Sequence, residues 1–200
     1  MDGIGASGRK PDAAVIEESL REPDRFTAVF ERHFPAIHRY LARRVGSGPA
    51  DDLAADVFVV AFERRSSFQQ TATDARPWLY GIATNLLRGH HRTEQRRLCA
   101  VALLRANDDI AALDAQVAEL GERARVAHAL SLLEAEQRDA LLLHVWGGLT
   151  HSEVAASLGI PQGTAASRIA RARARLRDLL GSDEAREKDL TVLRRERDDG

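Results

Sequence analysis

Apolar side chains recur every three or four positions along most of the 200-residue chain, the spacing of helices that bury one face. In residues 24–45 the series Phe26, Phe30, Phe34, Ile37 and Leu41 predicts an amphipathic helix kinked at Pro35 and ended by Gly46, Gly48 and Pro49. Residues 51–65 predict a second helix, acidic at its start as the helix dipole favours. Leu53, Val57, Val60 and Ala61 point inward there, with Phe58 and Phe62 on another line. After a polar loop at 66–74, a third helix over 75–97 carries Trp78, Ile82 and Leu86 inside and ends in the basic string HHRTEQRR. The pattern fades over 98–121, where small, acidic and glycine-interrupted sequence reads as a linker with some helical tendency. It returns with Val126, Leu130 and Leu133 and again at 140–145, stopped by Gly147 and Gly148.

Residues 149–180 are the most informative. Thr150 can cap a short helix, with Glu153 three residues on to complete a capping box. Ala155 is small where two helices must cross, Gly159 can take the positive φ that reverses the chain, and Pro161 opens a second helix. In that second helix Ile169, Ala172 and Leu176 recur at helical spacing and face inward. Thr164, Ser167, Arg168 and Arg171 lie off the stripe near the helix start, where a recognition helix meets base edges and phosphates, and Arg175 extends the basic flank. This is the order of a DNA-reading helix-turn-helix. The fold class is therefore all-α: two small helical domains, at 12–97 and 122–180, joined by the linker 98–121. A glycine-rich end at 1–11 and a charged tail at 181–200 complete the organisation.

Composition narrows the class further. A hydrophobic content of 44% is enough for a core, while 5% aromatics with abundant Ala and Leu favours helices over sheets. No apolar run approaches a membrane span and the N-terminus has no signal core, so the expected location is cytoplasmic, without membrane contact. The single Cys99 precludes an internal disulfide and fits a reducing compartment. A net charge of −1 is small for a protein that holds DNA unaided, because phosphate neutralisation supplies most of that affinity. The charges are segregated, however. Asp51, Asp52 and Asp56 cluster, as do Asp108, Asp109 and Asp114, while arginines crowd at 88–97 and 168–177. That distribution suits two DNA-touching patches that depend on a partner.

The strings DDLAADVFVVAFERR and DARPWLYGIATNLLRGHHR, followed by the helix-turn-helix, resemble the extracytoplasmic-function group of the sigma-70 family, over roughly residues 24–97 and 122–180. The resemblance implies a sigma factor: a dissociable subunit that binds core RNA polymerase, through the β′ clamp and β flap, and directs it to promoter DNA. It also implies a cognate anti-sigma factor as a further partner. Asp52, Leu53, Asp56 and Phe58 match the region that binds the β′ clamp. Phe68, Trp78, Tyr80, Asn85, Arg88, His91 and Arg92 fall in the region that opens and reads the minus-10 element. Of these, Asn85 carries both donor and acceptor for a base edge, Arg88, His91 and Arg92 suit the backbone, and Phe68, Trp78 and Tyr80 are stacking candidates. At helical spacing with Ile82 and Leu86, Trp78 reads as core more readily than as a platform. Thr164, Ser167, Arg168, Arg171 and Arg175 fall in the region that reads the minus-35 element.

No cofactor is expected, and no catalytic constellation is present in the sequence. His90 and His91 with Cys99 make a poor zinc set, because adjacent helical histidines point about 100° apart and no fourth ligand has suitable spacing. Two other functions compete: a one-component helix-turn-helix regulator acting without a polymerase subunit role, and a sigma-like decoy that titrates a partner. A plain regulator would have no use for the WLYGIATN helix.

Overall fold

The computed structural model describes residues 10–68, 74–104 and 122–198, with side chains described at 10–68, 74–96 and 125–181. All regular structure among them is helical. The helices are α1 (Asp12–Ser19), α2 (Thr27–Val45), α3 (Ser47–Glu63) and α4 (Arg76–Leu104), then α5 (Glu122–Ser131), α6 (Ala135–Val145), α7 (His151–Leu158) and α8 (Gln162–Asp198). Two 3₁₀ turns, Pro23–Phe26 and Arg65–Ser67, join α1 to α2 and follow α3.

The N-terminal unit packs α2 against α3 and both against α4. Of the predicted line, Phe26, Ile37 and Leu41 are buried, but the rest of the buried stripe of α2 is Val29, His33 and Tyr40, in place of Phe30 and Phe34. Phe30 is 39% exposed and Phe34 half-buried; both rings lean on Phe58 of α3, at centroid separations of 5.0 and 5.9 Å. The two lines differ by one position in a 3.6-residue repeat, so periodicity alone could not separate the core stripe from its aromatic neighbour. Pro35 is accommodated because it and Glu31, whose carbonyl loses its helical donor, both lie on the exposed face where water can substitute.

Only Gly46, at φ 82°, stops α2. Gly48 and Pro49, expected as breakers, instead form the first turn of α3, where a missing proline amide costs nothing. Leu53, Ala54, Val57, Phe58 and Ala61 are its buried face, while Val60 is only half-buried and Val59 is exposed.

Two elements were not anticipated from the sequence. Helix α1 is short and is held by two buried apolar residues, Val15 and Ile16, and by charge: buried Asp12 bonds the imidazole of His33 at 2.7 Å, pairs with Arg32, and accepts the backbone amide of Ala75 at 2.9 Å. Helix α4 extends to Leu104, beyond the expected end at Arg97. Its fully buried positions are Leu79, Ala83 and Leu87, one residue on from the anticipated Trp78 and Leu86, which are half-buried. Ile82 is also buried, because α4 is covered by α2 and α3 and again by α7.

In the C-terminal unit, α5 to α8 form the expected four-helix arrangement. Leu141, Leu142 and Leu143 of α6, Val154 and Ala155 of α7, and Ala165, Ile169 and Ala172 of α8 fill its core. Each fully buried Leu or Ile there contributes about 2 kcal/mol by removal from water. The backbone of α8 remains helical through Asp198, so the charged tail continues the recognition helix rather than lying apart from structure.

Candidate nucleic-acid interface

Helices α7 and α8 build the helix-turn-helix from local chemistry. The Thr150 hydroxyl accepts the amide of Glu153, whose carboxylate in return accepts the Thr150 amide at 2.7 Å. That amide bond lowers the Glu153 pKa, since the carboxylate is the better acceptor. Gly159 sits at φ 64°, ψ 38°, the left-handed cap that only glycine adopts cheaply. Ala155 is buried at the crossing, and the amide of Ile160 returns to its carbonyl at 3.1 Å.

These features aim the start of α8 outward. Arg171 and Arg175 are exposed, and Thr164, Ser167 and Arg168 are half-buried around the buried Ala165 and Ile169. The Ser167 hydroxyl donates to the Thr164 carbonyl at 3.0 Å, leaving its oxygen free to accept from an outside group. The five positions thus share one accessible side of α8, flanked by the helix start.

The minus-10 candidates divide. Asn85 and Arg92 are exposed on α4, and His91 is half-buried. Burial first, then the neighbouring charges of Arg44 and Arg138, lower the His91 pKa, which favours its neutral form. Phe68 is 8% exposed and Tyr80 only 3%; neither presents a free face on which a base could stack. Tyr80 packs edge-on against Tyr40 at 5.1 Å, and burial raises its pKa. Phe68 instead props the half-buried indole of Trp78 edge-on at 5.2 Å, making Trp78 the more accessible flat surface of the three. Arg88 is engaged, its Nε donating to Asp139 Oδ2 at 2.8 Å.

On α3, Asp52 and Asp56 are exposed while Leu53 and Phe58 are buried. The two apolar residues seat the helix; the carboxylates, with Phe30 and Val59 nearby on exposed faces of α2 and α3, are what another protein could touch. A second apolar surface lies on the C-terminal unit. It is a groove of about 440 Å³ between α5, α6 and α8, floored by Val126, Leu130, Val145, Trp146 and Leu176 and edged by Arg173 and Arg177.

Sequence reasoning missed a set of residues that join the two units. Arg44 of α2 donates from Nη2 to Asp139 Oδ1 at 2.8 Å, and Arg76 of α4 donates to the Gly148 carbonyl at 3.3 Å. The guanidinium of Arg43 lies 5.8 Å from the Trp146 ring centre. A solitary aspartate, Asp139, directly preceding the apolar run at 140–143 was the one available hint. Among the described residues Asp12, His33 and Asp74 bring three ligand-type atoms within 4.8 Å. The Asp12 oxygens, however, are already taken by Arg32, His33 and the Ala75 amide, and a guanidinium beside them opposes a cation. No helix of the described residues is long and apolar enough to cross a membrane.

Comparison with known proteins fits this geometry. Residues 29–97 match the family model for sigma-70 region 2, and residues 112–176 that for sigma-70, region 4. The chain is 32% identical to the ECF RNA polymerase sigma factor SigM of Mycobacterium tuberculosis, over 90% of this chain and 89% of that one. It is 30% identical to the RNA polymerase sigma factor NccH of Alcaligenes xylosoxydans xylosoxydans, over 80% and 88%. Among solved structures it resembles CnrH in complex with the cytosolic domain of CnrY, with a TM-score of 0.63 and 26% identity over 86% of this chain and 98% of that one. It also resembles the sigma factor RpoE of Bartonella quintana in complex with the anti-sigma factor NepR, with a TM-score of 0.58 and 26% identity over 78% and 96%. With both sigma-70 regions matched in order on one all-helical chain, the protein belongs to the sigma-70 family of RNA polymerase sigma factors, in its extracytoplasmic-function group.

Proposed function

We propose that this chain is the promoter-specificity subunit of RNA polymerase for a subset of genes, working in the cytoplasm and contributing no catalytic group of its own. The observation that carries the reading is the pairing of an exposed minus-10 candidate, Asn85 on α4, with a capped helix-turn-helix whose Arg168, Arg171 and Arg175 line one side of α8. A one-component regulator needs the second feature but not the first.

The division of labour follows from the chemistry of each surface. Asp52 and Asp56, seated by Leu53 and Phe58, suit a protein partner and not phosphate, and they are assigned to the β′ clamp. The apolar groove over Val145 and Trp146 suits a helix of the β flap. Asn85 reads a base edge in the minus-10 element, Arg88, His91 and Arg92 hold its backbone, and Trp78, propped by Phe68, is the surface for an extruded base. Buried Tyr80 shapes that region from beneath. Thr164, Ser167, Arg168, Arg171 and Arg175 read the minus-35 element in the major groove. A cognate anti-sigma factor would act by covering the polymerase-binding faces.

Run-off transcription with purified core polymerase and genomic promoter fragments tests the reading. Promoter-specific transcripts should require the chain and fall sharply with Asn85→Ala or Arg171→Ala. Absence of transcripts at every promoter, with unaided binding of the chain to a palindromic operator, would replace this function with that of a regulator.

A further inference from the structure

The two DNA-reading units are in direct contact. Gly81 of α4 lies so close to α7 that a Cβ there would sit 2.6 Å from the carbonyl oxygen of Ser157. Elements named for positions about 35 and about 10 nucleotides upstream are ~25 base pairs apart, on the order of 85 Å of duplex at about 3.4 Å per pair. A molecule whose minus-10 helix touches the first helix of its helix-turn-helix cannot span that distance. The arrangement is a closed form, and reading both elements requires the units to part.

One carboxylate bridges two helices of the N-terminal unit to α6. Asp139 is 2% exposed, and each of its oxygens is taken by an arginine of the other unit: Oδ1 by Arg44 and Oδ2 by Arg88, both at 2.8 Å. Arg44 is itself nearly buried and braced on the Tyr40 hydroxyl at 3.1 Å, whereas Arg88 is 39% exposed. We propose that Asp139 is the pin of an autoinhibitory latch, which keeps the two units closed and occupies Arg88, a residue assigned above to the DNA backbone.

The chemistry specifies how the latch is released. Arg88 can exchange one anion for another, so a DNA phosphate arriving at the half-exposed guanidinium competes directly with the Asp139 carboxylate. Losing that partner leaves Asp139 Oδ2 without a donor in a buried site while Oδ1 keeps Arg44, a cost that separation of the units relieves by letting water in. The flanking contacts, Arg76 to the Gly148 carbonyl and Arg43 to Trp146, lie at the edge of the same interface and would part with it. Partner binding and opening are therefore linked: the apparent affinity for a partner is that of the open form multiplied by the fraction of molecules that are open.

This inference rests on the reading of α4 and α8 as separate promoter readers, but its first readout, energy transfer within the chain, needs no polymerase. Dyes are placed at Glu63→Cys and Glu136→Cys, both exposed and one on each unit, in a full chain carrying Cys99→Ser. Energy transfer then reports closure. Asp139→Asn should lower transfer while circular dichroism remains helical, and core-polymerase affinity should rise roughly tenfold as the closed fraction is removed. Arg88→Glu, a change at a half-exposed side chain, sets a like charge against Asp139 and should lower transfer in the same way, even if Asp139→Asn does not fold. Unchanged transfer in both folded variants would overturn the latch. So would loss of cooperative folding in both, which would make Asp139 a structural buttress. Lowered transfer in the variants, with no transcription from the natural chain at any promoter, would leave the latch standing and remove the proposed function instead.

Discussion

The carboxylate of Asp12 accepts the backbone amide of Ala75, sixty-three residues downstream, at 2.9 Å. The bond fixes the entry to α4, the helix that carries Trp78 and Asn85, from the first turn of α1. Burial on its own would raise the Asp12 pKa, but the His33 hydrogen bond, the Ala75 amide and the charges of His33 and Arg32 outweigh it and hold the group at about 2. A depressed carboxylate pKa stabilises the fold above its ordinary value of 3.8. That stabilisation, on the order of 2 kcal/mol, is lost as pH falls from about 4 through about 2. Urea midpoints measured across this window should drop in the natural chain. With Asp12→Asn the chain should start lower at neutral pH and show a shallower acid loss. An equal acid loss in both would detach the transition from Asp12.

Thr150 and Glu153 close a reciprocal cap, so Thr150→Ala removes a bond from each side of the α7 start. The expected cost is about 1 kcal/mol, seen as a lower melting temperature. Since neither residue belongs to the α8 reading face, minus-35 duplex binding measured well below the melting transition should be unchanged. Weakened binding with unchanged melting would place Thr150 at the DNA.

Arg171 and Arg168 sit one turn apart on α8 but differ in exposure, Arg171 standing open and Arg168 half-buried. Arg171→Ala should weaken binding of the holoenzyme to all promoters similarly and reduce the salt slope by about one, as loss of a phosphate contact does. Arg168→Ala should instead relax sequence preference at one or two minus-35 positions, with a penalty of about 1–3 kcal/mol at the cognate base pair. Binding isotherms over a salt series, on cognate and single-substituted promoters, separate the two outcomes.

How much of this was legible in the sequence depended on whether a feature was written locally. The capping box at Thr150 and Glu153, the turn at Gly159 and the order of α5 to α8 are nearest-neighbour chemistry, and the structure has them where the residues put them. In the stripes of α2 and α4, Phe26, Ile37, Leu41 and Ile82 are buried as expected, but Phe30 and Phe34, and Trp78 and Leu86, are apolar residues on secondary faces one position from the core. Apolar residues bound for a partner or a neighbouring domain carry the same periodic mark as core. The charge sets around Asp12 and Asp139 could not be assembled from the sequence for a different reason: each is brought together from positions far apart in the chain, which no window along the sequence contains. Of the candidate site, the polar members Asn85, Arg92 and Arg171 were located on open surface, whereas Phe68, Tyr80, Leu53 and Phe58 proved to be supports beneath it.

Gly81 offers a prediction in which the sign of the effect reveals the arrangement. Inside a helix, alanine is favoured over glycine by about 1 kcal/mol, so Gly81→Ala should stabilise α4 wherever that helix stands free. In the closed form the added methyl would lie 2.6 Å from the Ser157 carbonyl oxygen, a backbone atom that cannot turn aside. The two requirements are met together only if α4 and α7 move apart. Gly81→Ala should therefore raise the unfolding midpoint of the N-terminal unit while detaching the C-terminal one. Limited proteolysis would then cut more readily between residues 98 and 121, and calorimetry would resolve two transitions instead of one. A single transition at a lower temperature, with proteolysis unchanged, would mean that the two units cannot separate without unfolding.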